Sequence, residues 1–229
     1  MSHKPSKPQK IPLRPFTYAP PQGDVEVLCD DKHFLIINKP AGLLSVPGKH
    51  AHLHDCLESR VQAHFPDARI IHRLDTATSG IMVMARTAHA HRHIGLQFEN
   101  RQIDKTYIAD IWGVPDKKSG TINLPLICDW PNRPLQKVDF EVGKPAETEW
   151  EIIESKGNIT RVLLKPKTGR SHQLRVHMLE LGHPILGDNL YAHDEAFNAA
   201  NRLMLHANTL NFRHPDGGAQ LGFKADCSF

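Results

Sequence analysis

An arginine and an aspartate stand two residues apart in the segment Ile71-His72-Arg73-Leu74-Asp75-Thr76-Ala77-Thr78-Ser79-Gly80. The apolar run Ile81-Met82-Val83-Met84-Ala85 follows at once, and such a run reads as a central strand buried on both faces. The Gly/Ser/Thr-rich loop would then present Arg73 and Asp75 from a rigid edge, where catalytic groups usually sit. A carboxylate held there suits nucleophilic or acid–base chemistry. On spacing alone, the ordinary alternative is an Asx turn in which Asp75 bonds its own backbone.

The spacing predicts a helix over Ser171–Leu181, with Thr168 or Ser171 as N-cap and Gly182 in the C′ position. On a 3.6-residue wheel Leu174, Met178, Leu179 and Leu181 form one apolar stripe, and Arg175 falls inside it. A guanidinium cannot shed its charge, so a buried Arg–carboxylate pair is expected. The alternative is that Arg175 snorkels its head to solvent.

These segments resemble the signature of the RluA family of pseudouridine synthases. The likeness rests on His72-Arg73-Leu74-Asp75 with its Thr-Ala-Thr-Ser-Gly tail, on Asn38-Lys39-Pro40-Ala41-Gly42-Leu43-Leu44-Ser45-Val46-Pro47-Gly48 and on Lys105-Thr106-Tyr107. It rests also on Leu164-Lys165-Pro166-Lys167-Thr168-Gly169-Arg170-Ser171-His172-Gln173-Leu174-Arg175-Val176-His177. Order and spacing hold from about Gly23 to the end, so four ordered motifs carry a specific signal. Leu124–Pro134, His183–Asp188 and the lack of an S4-type RNA-binding domain point to the family's short branch with dual specificity. That branch implies uridine 32 in the tRNA anticodon stem-loop and uridine 746 in a 23S rRNA hairpin as targets. Another rRNA or tRNA target within the family is the alternative.

The resemblance implies a reaction without a cofactor, in which the N1–C1′ bond of a uridine breaks and the base is rejoined through C5. By the same likeness Asp75 is the catalytic carboxylate, attacking sugar or base or removing a sugar proton, and Arg175 is its charge partner. Tyr107 stacks on the uracil and helps move its proton, Arg73 fills the gap left by the flipped uridine, and Leu205 lies beneath the base. Lys39, Lys165 and Arg170 support the loop or hold phosphates. Without the family likeness, Tyr107 and Leu205 would be packing residues and Arg73 a surface arginine. A non-catalytic RNA-binding module is the rival from another class, and the presence of Asp75, Tyr107 and Arg175 argues against it. A glycosidase is the enzymatic rival, weakened because only one carboxylate emerges where that chemistry usually needs two.

The elements that must position these groups read as an α+β domain with a mixed, largely antiparallel sheet flanked by helices, the fold that the resemblance implies for a single catalytic domain over 23–229. Paired strands are predicted over Val25–Asn38, around Asp30-Asp31. A helix follows at His54–Phe65, with Asp55 and Glu58 in capping-box register and Leu57, Val61 and Phe65 on one face. A second helix is predicted over Thr87–Asn100 and a short one over Asp194–Asn201. Strands are expected at Lys105–Trp112, Glu147–Glu154, Arg161–Lys165, Leu203–Phe212 and Leu221–Phe223. Residues 1–22, rich in proline and lysine, read as a flexible or extended basic arm.

With 229 residues, 40% of them hydrophobic and 23% charged, the composition is that of an ordinary globular protein. No apolar stretch near eighteen residues and no signal-peptide pattern occurs, so a cytoplasmic protein without a membrane span is expected. The four cysteines form no CxxC and are expected as free thiols. Net charge is +3. The first 23 residues hold four bases and no acid, so the basic balance is mostly a tail effect. An acid-free island between Glu154 and Glu180 carries Lys156, Arg161, Lys165, Lys167, Arg170 and Arg175 and suits an RNA backbone. The expected partner is therefore RNA, bound by a monomer. Histidines at 50, 52 and 54 and at 89, 91 and 93 have no accompanying Cys pair or HExxH, so no metal is expected.

Overall fold

The computed structural model describes Arg14 and residues 17–229. Its framework is a ten-stranded sheet with spatial order β1-β2-β4-β11-β5-β10-β9-β6, in which β3 pairs with β4 and β12 with β11. The strands are β1 Glu26–Asp30, β2 Phe34–Lys39, β3 Arg69–Ile70, β4 Ser79–Ala85, β5 Asp104–Trp112 and β6 Ser119–Asn123. They continue with β9 Glu147–Lys156, β10 Ile159–Pro166, β11 Leu205–Arg213 and β12 Gln220–Lys224, while β7 Leu126–Cys128 and β8 Gln136–Val138 form a separate hairpin. Pairing within the large sheet is antiparallel except between β4 and β11, which run parallel at His206↔Ser79 and Ala207↔Gly80. The expected mixed, mainly antiparallel sheet is thus present.

Every residue of β4 is buried, as its unbroken apolar run requires. Its first core, with Phe34, Ile36, Met82, Met84 and Phe212, packs beneath helix α2, Ala88–Glu99. Thr87 caps that helix, its side chain accepting from the Ala90 N–H. A second core, with Ile111, Trp150, Leu164, Leu174 and Met178, lies beneath helix α3, Gln173–Glu180. Tyr107 packs against both cores.

Three local expectations need correction. Helix α1 is shorter than the stretch predicted, Leu57–Gln62, and its capping box is Cys56 with Ser59. Asp55 is instead taken by Arg60, which grips it with two hydrogen bonds of 2.6 and 2.7 Å, and such a bidentate pair outweighs a cap. Helix α3 starts at Gln173 behind a left-handed His172, and neither Thr168 nor Ser171 caps it. The Thr168 hydroxyl donates to Gln173 Oε1 (2.7 Å) and accepts from the Glu147 N–H (3.0 Å), which ties the strand end to the helix start. Gly182 follows α3 with φ +89°, as a C′ residue should. The fourth helix, α4, covers Asp194–Asn198.

Of the predicted arm, positions 1–13, 15 and 16 lie outside the described residues. The described part has no helix or strand, yet it is attached to the domain. Tyr18 donates to the Asp55 carbonyl and accepts from the Leu44 N–H. Arg14 donates to Asp194 (2.7 Å) and to the Ala192 carbonyl, with its guanidinium 4.0 Å from the centre of the Phe197 ring. Among the described residues, no helix is long and apolar enough to cross a membrane.

Candidate active site

Three segments meet at a cavity of about 1040 Å³: the loop before β4, the strand β5, and the stretch from Pro166 through the start of α3. Arg73, Asp75, Tyr107, Arg170, Arg175 and Leu205 all line it. The sequence therefore places six of its eight candidate residues in one site.

The loop carrying Asp75 is held from below by the Asn38–Gly48 segment. Ser45 Oγ donates to the Leu74 carbonyl (2.7 Å) and accepts from the Leu74 N–H (3.2 Å). The Gly42 N–H donates to the Thr76 carbonyl (2.8 Å). Lys39, fully buried, donates to the carbonyls of Pro40, Leu43 and Thr76 at 2.9, 2.7 and 3.1 Å. On the far side His72 Nε2 accepts from the Val83 N–H (3.1 Å), and its ring stacks on Phe98. Burial, reinforced by the charge of Lys105, drives the His72 pKa down to about 3 and keeps it a neutral acceptor.

With its neighbours braced, Asp75 needs no Asx turn. The turn is closed by the Thr78 N–H on the Asp75 carbonyl (3.1 Å), and among the described residues the Asp75 carboxylate accepts no hydrogen bond. Its Oδ2 faces Arg175 Nη1 at 3.7 Å and His172 Nε2 at 4.0 Å. The buried pair foreseen for Arg175 exists, but its main partner is Asp188. Arg175 Nε and Nη2 bond the two Asp188 oxygens at 2.7 and 2.6 Å, with Arg175 3% and Asp188 0% exposed. Asp188 Oδ1 also accepts from the N–H groups of Leu190 and Tyr191. Burial opposes the Arg175 charge, but Asp188 and then Asp75 overcome it and hold the guanidinium above its ordinary pKa. The deep charge of Arg175 is thus neutralised mainly by Asp188, and Nη1 is the guanidinium nitrogen nearest to Asp75.

Tyr107 stands opposite Leu164 on β10 and Ala207 on β11. Burial, and secondarily the Asp75 charge, raises its hydroxyl above the ordinary tyrosine range, so it is a neutral donor at physiological pH. Leu205 is 3% exposed and contributes an apolar wall. Arg73 is exposed at the cavity edge.

A family model described as RNA pseudouridylate synthase matches residues 33–180. The chain belongs to that family. The Dual-specificity RNA pseudouridine synthase RluA of Escherichia coli strain K12 is 52% identical over 214 residues, which cover 93% of this chain and 98% of that protein. The protein of the same name from Yersinia pestis is 54% identical over 204 residues, covering 89% and 99%. Among solved structures, Human RNA Pseudouridylate Synthase Domain Containing 1 superposes with a TM-score of 0.75 at 27% identity, covering 91% of this chain and 86% of that one. The chain is accordingly an RNA pseudouridine synthase, an isomerase.

Two candidates of this synthase lie outside the cavity. Lys165 pairs with Glu151 across β10 and β9 at 3.2 Å. Lys39 lies beneath the loop and spends its donors on backbone carbonyls. The acid-free island is likewise a feature of the linear chain only. In space Arg161 meets Asp110 and Glu154, and Lys167 meets Glu149. Of the island's six basic residues, Arg170 lines the cavity with no carboxylate within 4.0 Å among the described residues, and its Nε donates to the Pro145 carbonyl (3.2 Å).

The sequence alone assigns no role to Ser45, His72, His172, Asp188 or Tyr191. No periodicity marks Asp188, which reaches Arg175 through a turn. Glycine at two positions makes the close approaches possible. A Cβ on Gly80 (φ +114°) would lie 2.2 Å from the Ala207 carbonyl oxygen, and one on Gly187 (φ +68°) would lie 1.8 Å from that of Arg202.

Lys39→Met is expected to strand the carbonyls of Pro40 and Leu43, that of Thr76 keeping the Gly42 N–H, and to lower stability by about 2 kcal/mol at pH 8, measured by urea unfolding. Burial, opposed by Asp75, lowers the Lys39 pKa from its ordinary 10.5 to about 7. Between those values the unfolded chain holds more protons than the native one, so this group's contribution to stability rises with pH. The deficit of Lys39→Met should therefore widen from pH 7 upward. A constant or shrinking deficit would show that Lys39 is not held as described.

Proposed function

We propose that this synthase isomerises uridines in short RNA stem-loops through Asp75, with uridine 32 of tRNA anticodon stem-loops and uridine 746 of a 23S rRNA hairpin as its targets. The observation that carries the reading is a braced carboxylate, Asp75, turned into a large cavity without a hydrogen bond of its own and flanked by one buried guanidinium. The reaction breaks N1–C1′, forms C5–C1′, moves the C5 proton away and leaves a proton on N1. Attack on the sugar, attack on the base and removal of a sugar proton each need the same carboxylate at the same place. Arg175 Nη1 faces it with the opposite charge at 3.7 Å.

Tyr107 offers a ring for stacking and a hydroxyl for the C5 proton. Tyr107→Phe is expected to bind RNA within a few-fold of wild type while product formation falls by roughly 10²-fold or more. Normal turnover would leave Tyr107 a packing residue.

Arg73 stands where a side chain could enter the stack vacated by a flipped nucleotide. Arg73→Ala should slow modification of a folded stem-loop more than that of an unstructured strand, in single-turnover assays on both. Equal losses would remove the flipping role. Among the described residues Asp75 is the one carboxylate lining the cavity, and this disfavours a two-carboxylate glycosidase.

The names of the curated relatives support dual specificity, and a loop whose bases can be splayed out suits recognition of a local RNA shape by one monomer. The test offers purified protein a synthetic anticodon stem-loop and the rRNA hairpin, separately and alone, and locates pseudouridine by chemical mapping. Both should be modified at the named uridine. Modification of one only, or of neither outside ribosomal particles, would reassign the substrate and leave the family unchanged.

A further inference from the structure

His172 has no part in the roles assigned above, yet three features set it apart. It occupies the left-handed region at φ +54°, ψ +16°, where a residue other than glycine is strained by roughly 1–2 kcal/mol. It heads α3 without capping it. Its side chain is 13% exposed and lines the cavity. A strained residue at a cavity is a marker of function when the surrounding structure holds it there.

What holds it is Tyr191. Tyr191 Oη lies 2.7 Å from His172 Nδ1 and accepts from the Gln136 backbone N–H at 2.8 Å. Tyr191 is 3% exposed, so its hydroxyl proton needs an acceptor. Among the described residues, His172 Nδ1 is the one acceptor within reach, so the hydroxyl donates to it. The imidazole proton then sits on Nε2, which faces Asp75 Oδ2 at 4.0 Å. Arg175 Nη1 approaches the same oxygen at 3.7 Å. The shortest approach of each donor to Asp75 is to Oδ2.

We infer that His172 is a positioning residue: with its proton fixed on Nε2 by Tyr191, it joins Arg175 in facing Asp75 Oδ2 and so sets the orientation in which the carboxylate meets the nucleoside. The inference rests on Asp75 being the reacting carboxylate. The neutral imidazole is required, because a second proton on Nδ1 would take the acceptor from Tyr191. The charged groups around it are Asp75 from the loop before β4, Arg175 from α3 and Asp188 from the loop after α3. Burial lowers the His172 pKa, Asp75 opposing, which keeps the ring neutral at physiological pH.

The test compares His172→Asn, His172→Gln and Tyr191→Phe in the full chain, using single-turnover modification of an anticodon stem-loop, RNA affinity and urea unfolding. Asn tolerates the left-handed backbone but falls short of Asp75, whereas Gln carries an amide N–H to about the place of Nε2. His172→Asn should lose rate on the order of 10²-fold with RNA affinity within about threefold, and Gln should recover most of that loss. Nitrogen-15 spectra of histidine-labelled protein should show His172 protonated on Nε2 in the wild type, with Tyr191→Phe shifting protons toward Nδ1. Equal rates for Asn and wild type, equal losses for Asn and Gln, or a wild-type proton on Nδ1 would overturn the inference. Asp75→Asn is run alongside: if it is active, the parent reading falls and takes this one with it. If it is inactive and His172→Asn is normal, only the role of His172 falls.

Discussion

Asp75→Asn is expected to cut pseudouridine formation by at least about 10⁴-fold while RNA affinity stays within a few-fold. An amide has nearly the carboxylate's shape, and the loop does not depend on the side chain. Leu74 is held by Ser45, and Thr76 by Gly42 and Lys39. The variant should therefore fold and bind normally, so the lost rate reports chemistry alone. Single-turnover assays on a stem-loop, with urea unfolding as the control for folding, measure both sides. Turnover near the wild-type rate would dismiss Asp75 from the reaction.

The second large effect concerns stability. Asp188→Ala leaves the Arg175 guanidinium buried without its two strongest bonds, and Arg175→Met leaves the Asp188 carboxylate buried. Each single change should cost about 3–5 kcal/mol in urea unfolding. Arg175→Met with Asp188→Leu removes both charges and should regain much of that loss, because an apolar pair needs no desolvation. The Leu190 and Tyr191 N–H groups that Asp188 receives would still be unpaired, so recovery stays incomplete. Activity should not return with stability, since the double variant has no guanidinium to set against Asp75. Additive losses in the double variant would mean that the two residues are not the coupled unit described.

Much of this was legible in the sequence because the signals are local. The run Ile81–Ala85 can satisfy its burial only inside a sheet, and Arg175 in an apolar stripe must find an acid. The identity of that acid was not legible, because Asp188 reaches Arg175 through a turn that no periodicity describes. The same limit produced the error at α1. Asp55 and Glu58 have capping-box spacing, but Arg60 competes for Asp55 and Cys56 takes the cap. The basic island failed for a related reason, since charge along a chain says nothing about the acids on the next strand. Here Glu149, Glu151 and Glu154 of β9 answer the bases of β10 and its continuation. The family likeness supplied the roles of Tyr107 and Leu205, for which residue type alone offers only packing.

The order of strands in space is not their order of synthesis. β11, which follows both in chain order, lies between β4, which follows the Asp75 loop, and β5, which carries Tyr107. Before it enters, the amino-terminal strands and the later ones have no shared edge, and the acid and the tyrosine belong to separate halves. A growing chain on the ribosome, having made everything up to α4, would thus possess both candidate groups and no assembled site. Such distant pairing is slow to close. Assembly of the candidate site consequently waits on one strand, whose entry joins the two halves.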